Sequence, residues 1–276
     1  MKKWLLSHGM TIFALAVALL VLWPLALMFS LATWRSADVT HLYQQGIPCL
    51  SLIPPVVSLE QFVRIVFEQY NYLHMFFNSL MLSAGIGFGA VVVDFFAGYV
   101  LAKVRFRGRG FVCGIYVFAM LLPLQVTLLP VYIASRTMGL INSWWSMILP
   151  GIFAPLGVFF MQQFLVSLPD EMVACMRMET RSTLCLLLHG ILPYAIPGLI
   201  TLFVIVFAEN WGMVEQPLLL LTDPAKFPLS LALCSKETVP QDIAFAAAVI
   251  FSLPAFVFYI LFQDQIQTGI GGFQPK

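Results

Sequence analysis

No phosphate-binding loop of the form G-x-x-x-x-G-K-[ST] occurs in this 276-residue chain, so nothing in it is built to cradle ATP. H-E-x-x-H and C-x-x-C are also absent, and the four histidines are scattered. That removes the usual zinc and dithiol chemistries, and with them the constellation of base, nucleophile and metal that a membrane enzyme needs. No internal repeat of the kind found in many secondary transporters is visible. Charge is scarce: Asp, Glu, Lys and Arg make up 10% of the residues, against about a quarter in a soluble domain. A net charge of +1 offers no pull toward nucleic acid.

What is present is apolar sequence. Hydrophobic residues reach 61% and the mean hydropathy is +0.93, which predicts an all-α integral membrane protein. A span needs roughly 20 apolar residues. Six stretches qualify: residues 11–33, 75–102, 111–133, 144–166, 194–221 and 242–262. The first is too long for the core of a signal peptide, and no small-residue cleavage site follows it. Lys2, Lys3, Lys103, Arg105, Arg107, Arg109, Arg177, Arg181 and Lys276 fall on one side of this topology, close to the spans. The cations of the other side (Arg35, Arg64, Arg136, Lys226 and Lys236) are spread through longer loops, so both termini and the 168–193 segment are expected in the cytoplasm of a cell membrane. Trp4, Trp34, Trp144 and Trp145 sit where interfacial anchors belong.

The loop 34–74 is then external. Pro48, Pro54 and Pro55 argue against helix in its first part. Ser58 with Gln61 forms a capping-box pattern, and Phe62, Ile65, Val66 and Tyr70 mark one face of an amphipathic helix whose simplest role is packing. Of the cysteines, Cys49 and Cys234 fall outside, where an oxidising compartment permits either a disulfide or two free thiols.

Polar groups within apolar runs are the candidate site residues. Asp94 lies inside the second span, where a carboxylate faces a bundle interior or a wet cavity; substrate binding and pairing with a neighbouring subunit both fit. The third span carries Pro123, Gln125 and Pro130, consistent with a kink beside a cavity or a plain packing kink. Glu209, Asn210 and Trp211 cluster near the outer end of the fifth span. They suit either a sugar, through stacking and paired hydrogen bonds, or an ordinary interface. The four cations of KVRFRGRG read as topology anchors.

The longest charged interruption runs over 168–193. Pro169 suits the first helical position, and Asp170 and Glu171 place negative charge at the positive end of the dipole. Met172, Val173 and Met176 share a face, and a second helix start follows at Ser182 and Thr183. Two short helices outside the bilayer, with a bend between them, are predicted.

This stretch resembles the "EAA" cytoplasmic loop of permease subunits from binding-protein-dependent ABC importers, above all the carbohydrate-uptake group typified by the maltose permease. That loop usually reads Glu-Ala-Ala-Arg-Ile-Asp-Gly-Ala-Ser and ends, after an apolar stretch, in Leu-Pro. The corresponding residues here are Ala174, Cys175, Met176, Arg177, Met178, Glu179, Thr180, Arg181 and Ser182, then Leu192 and Pro193. Ala174 stands in place of the Glu and Thr180 in place of the Gly. FNSLML, YVLAKVRFRG, LLPLQVTLLP, PLLLLTDP and ILFQDQIQTGIGG also resemble maltose-type permeases, in the right order over about 76–272. Where that family follows Trp with Asn, Gly212 stands here and Asn210 precedes the Trp.

The resemblance implies a single transmembrane permease domain over 1–276 with a type I ABC importer-like fold. A cytoplasmic coupling helix between the fourth and fifth spans would dock on an ATPase through Glu171 and the 174–180 segment, Glu171 taking over part of the missing Glu's role. It further implies a second permease subunit, two cytoplasmic ATPase subunits that carry ATP and Mg, and an external solute-binding protein. No cofactor is expected in this chain itself. The solute would be a sugar or related polar compound, a phosphorylated polyol included. An ion-coupled secondary transporter using Asp94 and Glu209 is the alternative.

Overall fold

The computed structural model describes residues 2–45, 53–68, 70–180, 182–234, 240 and 242–271. Every regular element among them is a helix. Five are long and apolar enough to cross a membrane: Met10–Ala32, Asn71–Lys103, Trp145–Val166, Thr183–Trp211 and Ala244–Gly271. A sixth candidate, Arg109–Met120 with Leu124–Thr137, is bent by 103° at the break between them.

That bend corrects the expectation of one kinked third span. α5 (Arg109–Met120) stops before Pro123, whose extended backbone (φ −65°, ψ 145°) precedes the first turn of α6 (Leu124–Thr137). Proline lacks the N–H that would continue the ladder and pushes its predecessor out of the helical region. The fourth span is also made of two pieces, α7 (Trp145–Ile152) and α8 (Pro155–Val166), with Pro155 in the first turn of the second.

The fifth span differs more from expectation. It starts at Thr183 rather than 194, and so absorbs the second of the two short helices predicted outside the bilayer. Ser182 Oγ accepts a 3.4 Å hydrogen bond from Cys185 N at its start, the wide-turned π segment Leu186–Ile191 follows, and α11 (Leu192–Trp211) completes it. Pro193 lies ahead of the expected start of this span, yet it and Pro197 both lie inside α11. They supply no N–H, and a π segment is one of the local adjustments that keep a span's carbonyls bonded. The last helix, α14 (Ala244–Gly271), runs nine residues beyond its predicted end.

Residues 1–76 with 232–253 form one compact unit. Leu31, Trp34 and Val39 are its buried cluster, with Leu42 and Phe245 packed against it. Val39 comes from α2 (Ser36–Gln45), a helix where irregular chain was expected. The prolines that prompted that reading all lie after Gln45 and leave this stretch free to coil. α3 (Glu60–Phe67) forms as predicted, but the capping box does not: Ser58 Oγ accepts from Glu60 N at 3.1 Å, while Gln61 Nε2 turns inward to the carbonyls of Leu31 (2.8 Å) and Trp34 (2.9 Å). Ile65 is buried, whereas Val66 is exposed. Arg64 joins α3 to Asp242 by a short ion pair, and Tyr72 Oη donates to Ala247 O at 2.6 Å. Cys234 carries a free thiol, and Cys49 lies outside the described residues, as does Arg181 of the loop motif.

The second unit comprises residues 77–231 with 254–276. Its core includes Leu82, Ile86, Tyr99, Met161, Leu165 and Leu202. α4 (Tyr70–Lys103) packs on α7 and α8 over a series of close approaches: Gly85 with Ile148, Ile86 with Gly151, Gly89 with Ile152, Asp94 with Gly157 and Gly98 with Met161. The numbers rise together, so the two spans run in the same direction, and glycine lets a bare backbone receive the larger side chain opposite. Phe88, Phe203, Phe207, Phe258 and Trp211 form an aromatic cluster, with centroids 4.5 Å apart at Phe207–Phe258. The loop around Pro224–Lys226 is pinned from two sides. Asn78 Nδ2 donates to Ala225 O (2.8 Å) and Phe227 O (3.1 Å), while Asn142 Oδ1 accepts from Thr222 N and Asp223 N. Asn142 adopts φ 61° to do so, a backbone state that asparagine tolerates better than most residues.

Candidate functional site

α9 (Asp170–Glu179) starts after Pro169 and carries Asp170 and Glu171 in its first turn, as the dipole favours. Val173 is buried, and Met172 and Met176 pack against the core beside it. Gly190 of the π segment lies under Met176: a Cβ there would sit 3.1 Å from its Sδ. The opposite face presents Glu171, Ala174, Cys175 and Met178, spaced three and four apart, with Met178 81% exposed. Glu179 is exposed as well, and Thr180 ends the helix in extended conformation (φ −139°, ψ 139°).

Both ends of α9 are tied to α4. Lys103 Nζ donates to Leu168 O at 2.6 Å and to Asp170 Oδ1 at 2.7 Å. That hydrogen bond, and the field of the same ammonium, hold Asp170 below the usual carboxylate range, with Arg105 and Arg109 adding to the effect. The Asp170 carboxylate is thereby held in its ionised form. Arg177 donates from Nη2 to Tyr99 Oη at 3.1 Å. Lys103, read from sequence as a topology anchor, is thus a structural partner, and nothing in the sequence pointed to Tyr99.

The polar groups within the spans do not converge on one point. Asp94 is buried, and neither carboxylate oxygen meets a hydrogen-bond partner among the described residues. Its carboxylate fills the space over Gly157, where a Cβ would come within 1.8 Å of Oδ2. Gln125, in the first turn of α6, is exposed and directs Nε2 at both oxygens of Glu215 (3.2 and 3.4 Å) on α12 (Glu215–Leu220). Glu215 was not singled out from sequence; its signal was a lone carboxylate ahead of the apolar run QPLLLL. Glu209 is exposed, while Asn210 Nδ2 folds back on Val206 O at 2.8 Å. Trp211 is buried with its ring stacked on Phe207, centroids 5.5 Å apart. An apolar cleft of about 440 Å³ opens elsewhere, between Met120, Leu156, Phe160, Gln163, Ile205 and Gly269, and includes none of these groups. No cluster of metal-ligating side chains is found among the described residues.

The model of the family "binding-protein-dependent transport system inner membrane component" matches residues 94–271. The arabinooligosaccharides transport system permease protein AraQ of Halalkalibacterium halodurans is 28% identical over 271 residues, covering 97% of this chain and 94% of the relative. The sn-glycerol-3-phosphate transport system permease protein UgpE of Agrobacterium fabrum is 23% identical over 282 residues, covering 96% and 95%. A chain from the crystal structure of a bacterial ABC transporter involved in the import of the acidic polysaccharide alginate superposes with a TM-score of 0.80 at 19% identity, over 95% of this chain and 97% of that one.

Proposed function

Because the chain belongs to the family of inner membrane components of binding-protein-dependent transport systems, we propose that it forms one half of the translocation path for a sugar or related polar solute, with α9 coupling that path to a separate ATPase. The chain is a multi-pass permease subunit of an ABC importer with the type I fold. The observation that carries the coupling role is the two-sidedness of α9. One face is packed into the spans, and the other offers Glu171, Ala174, Cys175 and Met178, exposed and outside the packed core of the described residues. The solute class is supported by relatives named for arabinooligosaccharide transport. Gln125, Glu209 and Asn210 are the side chains assigned to the path, and Asp94 and Trp211 shape its wall from within. The assembly comprises a second permease subunit, two cytoplasmic ATPase subunits that bind ATP and Mg, and an external binding protein.

Proteoliposomes holding this chain, a second permease and two ATPase subunits are expected to take up an arabinooligosaccharide or a related sugar from a binding protein only when ATP is supplied on the ATPase side. Uptake by this chain alone under a proton gradient would overturn the reading in favour of an ion-coupled carrier using Asp94 and Glu209. The orientation, with both termini and α9 in the cytoplasm, rests on the cation asymmetry. Cys175, Cys185 and Cys234 are all exposed. A membrane-impermeant thiol reagent applied to intact cells should label Cys234 and miss the other two until the membrane is opened. Labelling of Cys185 from outside at the rate of Cys234 would reverse the topology.

A further inference from the structure

We infer that movement of α9 enters the membrane through its polar links to α4, and not through its apolar contact with the π segment that leads into α11. The inference rests on the reading of α9 as the coupling helix, and it assigns Tyr99, Lys103 and Arg177 as positioning residues for transport.

The attachment to α4 is polar and made at two points. Lys103, whose side chain is 6% exposed, holds both the Leu168 carbonyl and the Asp170 carboxylate at the start of α9. Tyr99, also buried, receives Arg177 near the other end. Asp170 and Arg177 are seven residues apart, about two turns or roughly 10 Å of helix. Tyr99 and Lys103 are four apart and share one face of α4. A helix fixed at both ends cannot pivot about a single contact, and charge-assisted bonds to partly desolvated partners resist sliding.

The connection to α11 has the opposite character. The chain leaves α9 through extended backbone at Thr180 and Ser182. It then passes the π segment Leu186–Ile191 before the regular helix resumes ahead of Pro193 and Pro197. Contact across this joint is apolar, with the pliable thioether of Met176 lying over Gly190. An extended linker and a wide helical turn absorb displacement where a continuous helix would transmit it. Downstream of α4, the Asp94–Gly157 and Gly98–Met161 contacts pass the displacement to α8.

The test uses the complete transporter with its ATPases, in nanodiscs, with the other cysteines replaced by serine. Spin labels are placed at Cys175 on α9, in preparations whose labelled form keeps receptor-stimulated hydrolysis, and at either Val100→Cys on α4 or Ile196→Cys on α11; both of these sites are exposed. Vanadate trapping with ATP is expected to leave the 175–100 distance unchanged and to shift the 175–196 distance by more than about 2 Å. A shift confined to 175–100, or two distances that both stay fixed, would overturn the inference. Combining Lys103→Met with Tyr99→Phe should lower receptor-stimulated hydrolysis at least about fivefold with basal hydrolysis retained, and Lys103→Arg should largely preserve the stimulation. Unchanged stimulation in the double variant would also overturn it. Glu171→Lys, which lies on the exposed face and touches neither link, reports on the coupling assignment separately: wild-type stimulation there means that α9 is not the docking element.

Discussion

Reversing the charge at Glu171 is expected to abolish transport in a protein that still folds and inserts. Glu171 is exposed and makes no contact among the described residues that holds α9 in place; Met172, Val173 and Met176 do that from the other face, with the Lys103 and Tyr99 links at its ends. Its only foreseeable role in the isolated chain is with the helix dipole, a surface effect of about 0.3–1 kcal/mol. In a docked interface the same reversal acts on a desolvated charge, where removing one partner alone costs about 2–5 kcal/mol. The two roles therefore separate by magnitude. Glu171→Lys should bind nucleotide normally in the assembled complex, lose more than about 90% of solute uptake, equivalent to at least about 1.4 kcal/mol of docking, and no longer respond to loaded binding protein. Uptake at the wild-type rate would show that the carboxylate does not stand in for the one missing at Ala174.

The second large effect is expected at Gly157. A Cβ there would meet Asp94 Oδ2 at 1.8 Å, and the atom in the way is held between two packed helices. Gly157→Ala should destabilise the purified complex by about 1–3 kcal/mol, the range for overpacking a filled interior. The penalty arises from a single pair, so it should disappear in the company of Asp94→Ala, which vacates the space. A double-mutant cycle by thermal unfolding in detergent would then give a coupling energy on the order of 1–3 kcal/mol. Additive losses would mean that Gly157 is constrained by something other than the carboxylate. Retained uptake in the double variant would further limit Asp94 to packing and remove it from the path.

Much of this architecture can be read from local chemistry. α9 begins where Pro169, Asp170 and Glu171 say it should, and its buried face is the one marked by Met172, Val173 and Met176. The limits of the first span follow from the length of the apolar run. What local chemistry misses depends on partners distant in sequence. Pro123 announces a distortion, but whether a proline kinks a helix or divides it into two limbs at 103° is decided by what surrounds it. The apolar run starts only after Pro193, yet the fifth span begins at Thr183 and passes a π segment, Pro193 and Pro197 on its way. Gln61 has a cap within reach and instead satisfies two carbonyls some thirty residues earlier. Trp211 has the composition of a sugar platform, yet its ring is taken up by Phe207. The Arg177–Tyr99 and Asp94–Gly157 pairs join positions 78 and 63 residues apart, and no periodicity within one helix could reveal either.

The meeting of Asp94 with Gly157 also sets a timetable for biosynthesis. At roughly 5–20 residues per second, the ribosome needs about 3–13 s to travel from one codon to the other. Throughout that interval α4 must leave the insertion channel with a carboxylate nine residues from its end, a burden of up to about 2.5–3.5 kcal/mol on the scale that governs insertion. The rest of α4 is apolar enough to offset it, but the helix enters the lipid without the neighbour that will later enclose that carboxylate. A nascent chain arrested before residue 157 should therefore hold α4 less firmly than one arrested after the fourth span has emerged. The glycine on α8 is thus the last piece of a membrane insertion that began two spans earlier.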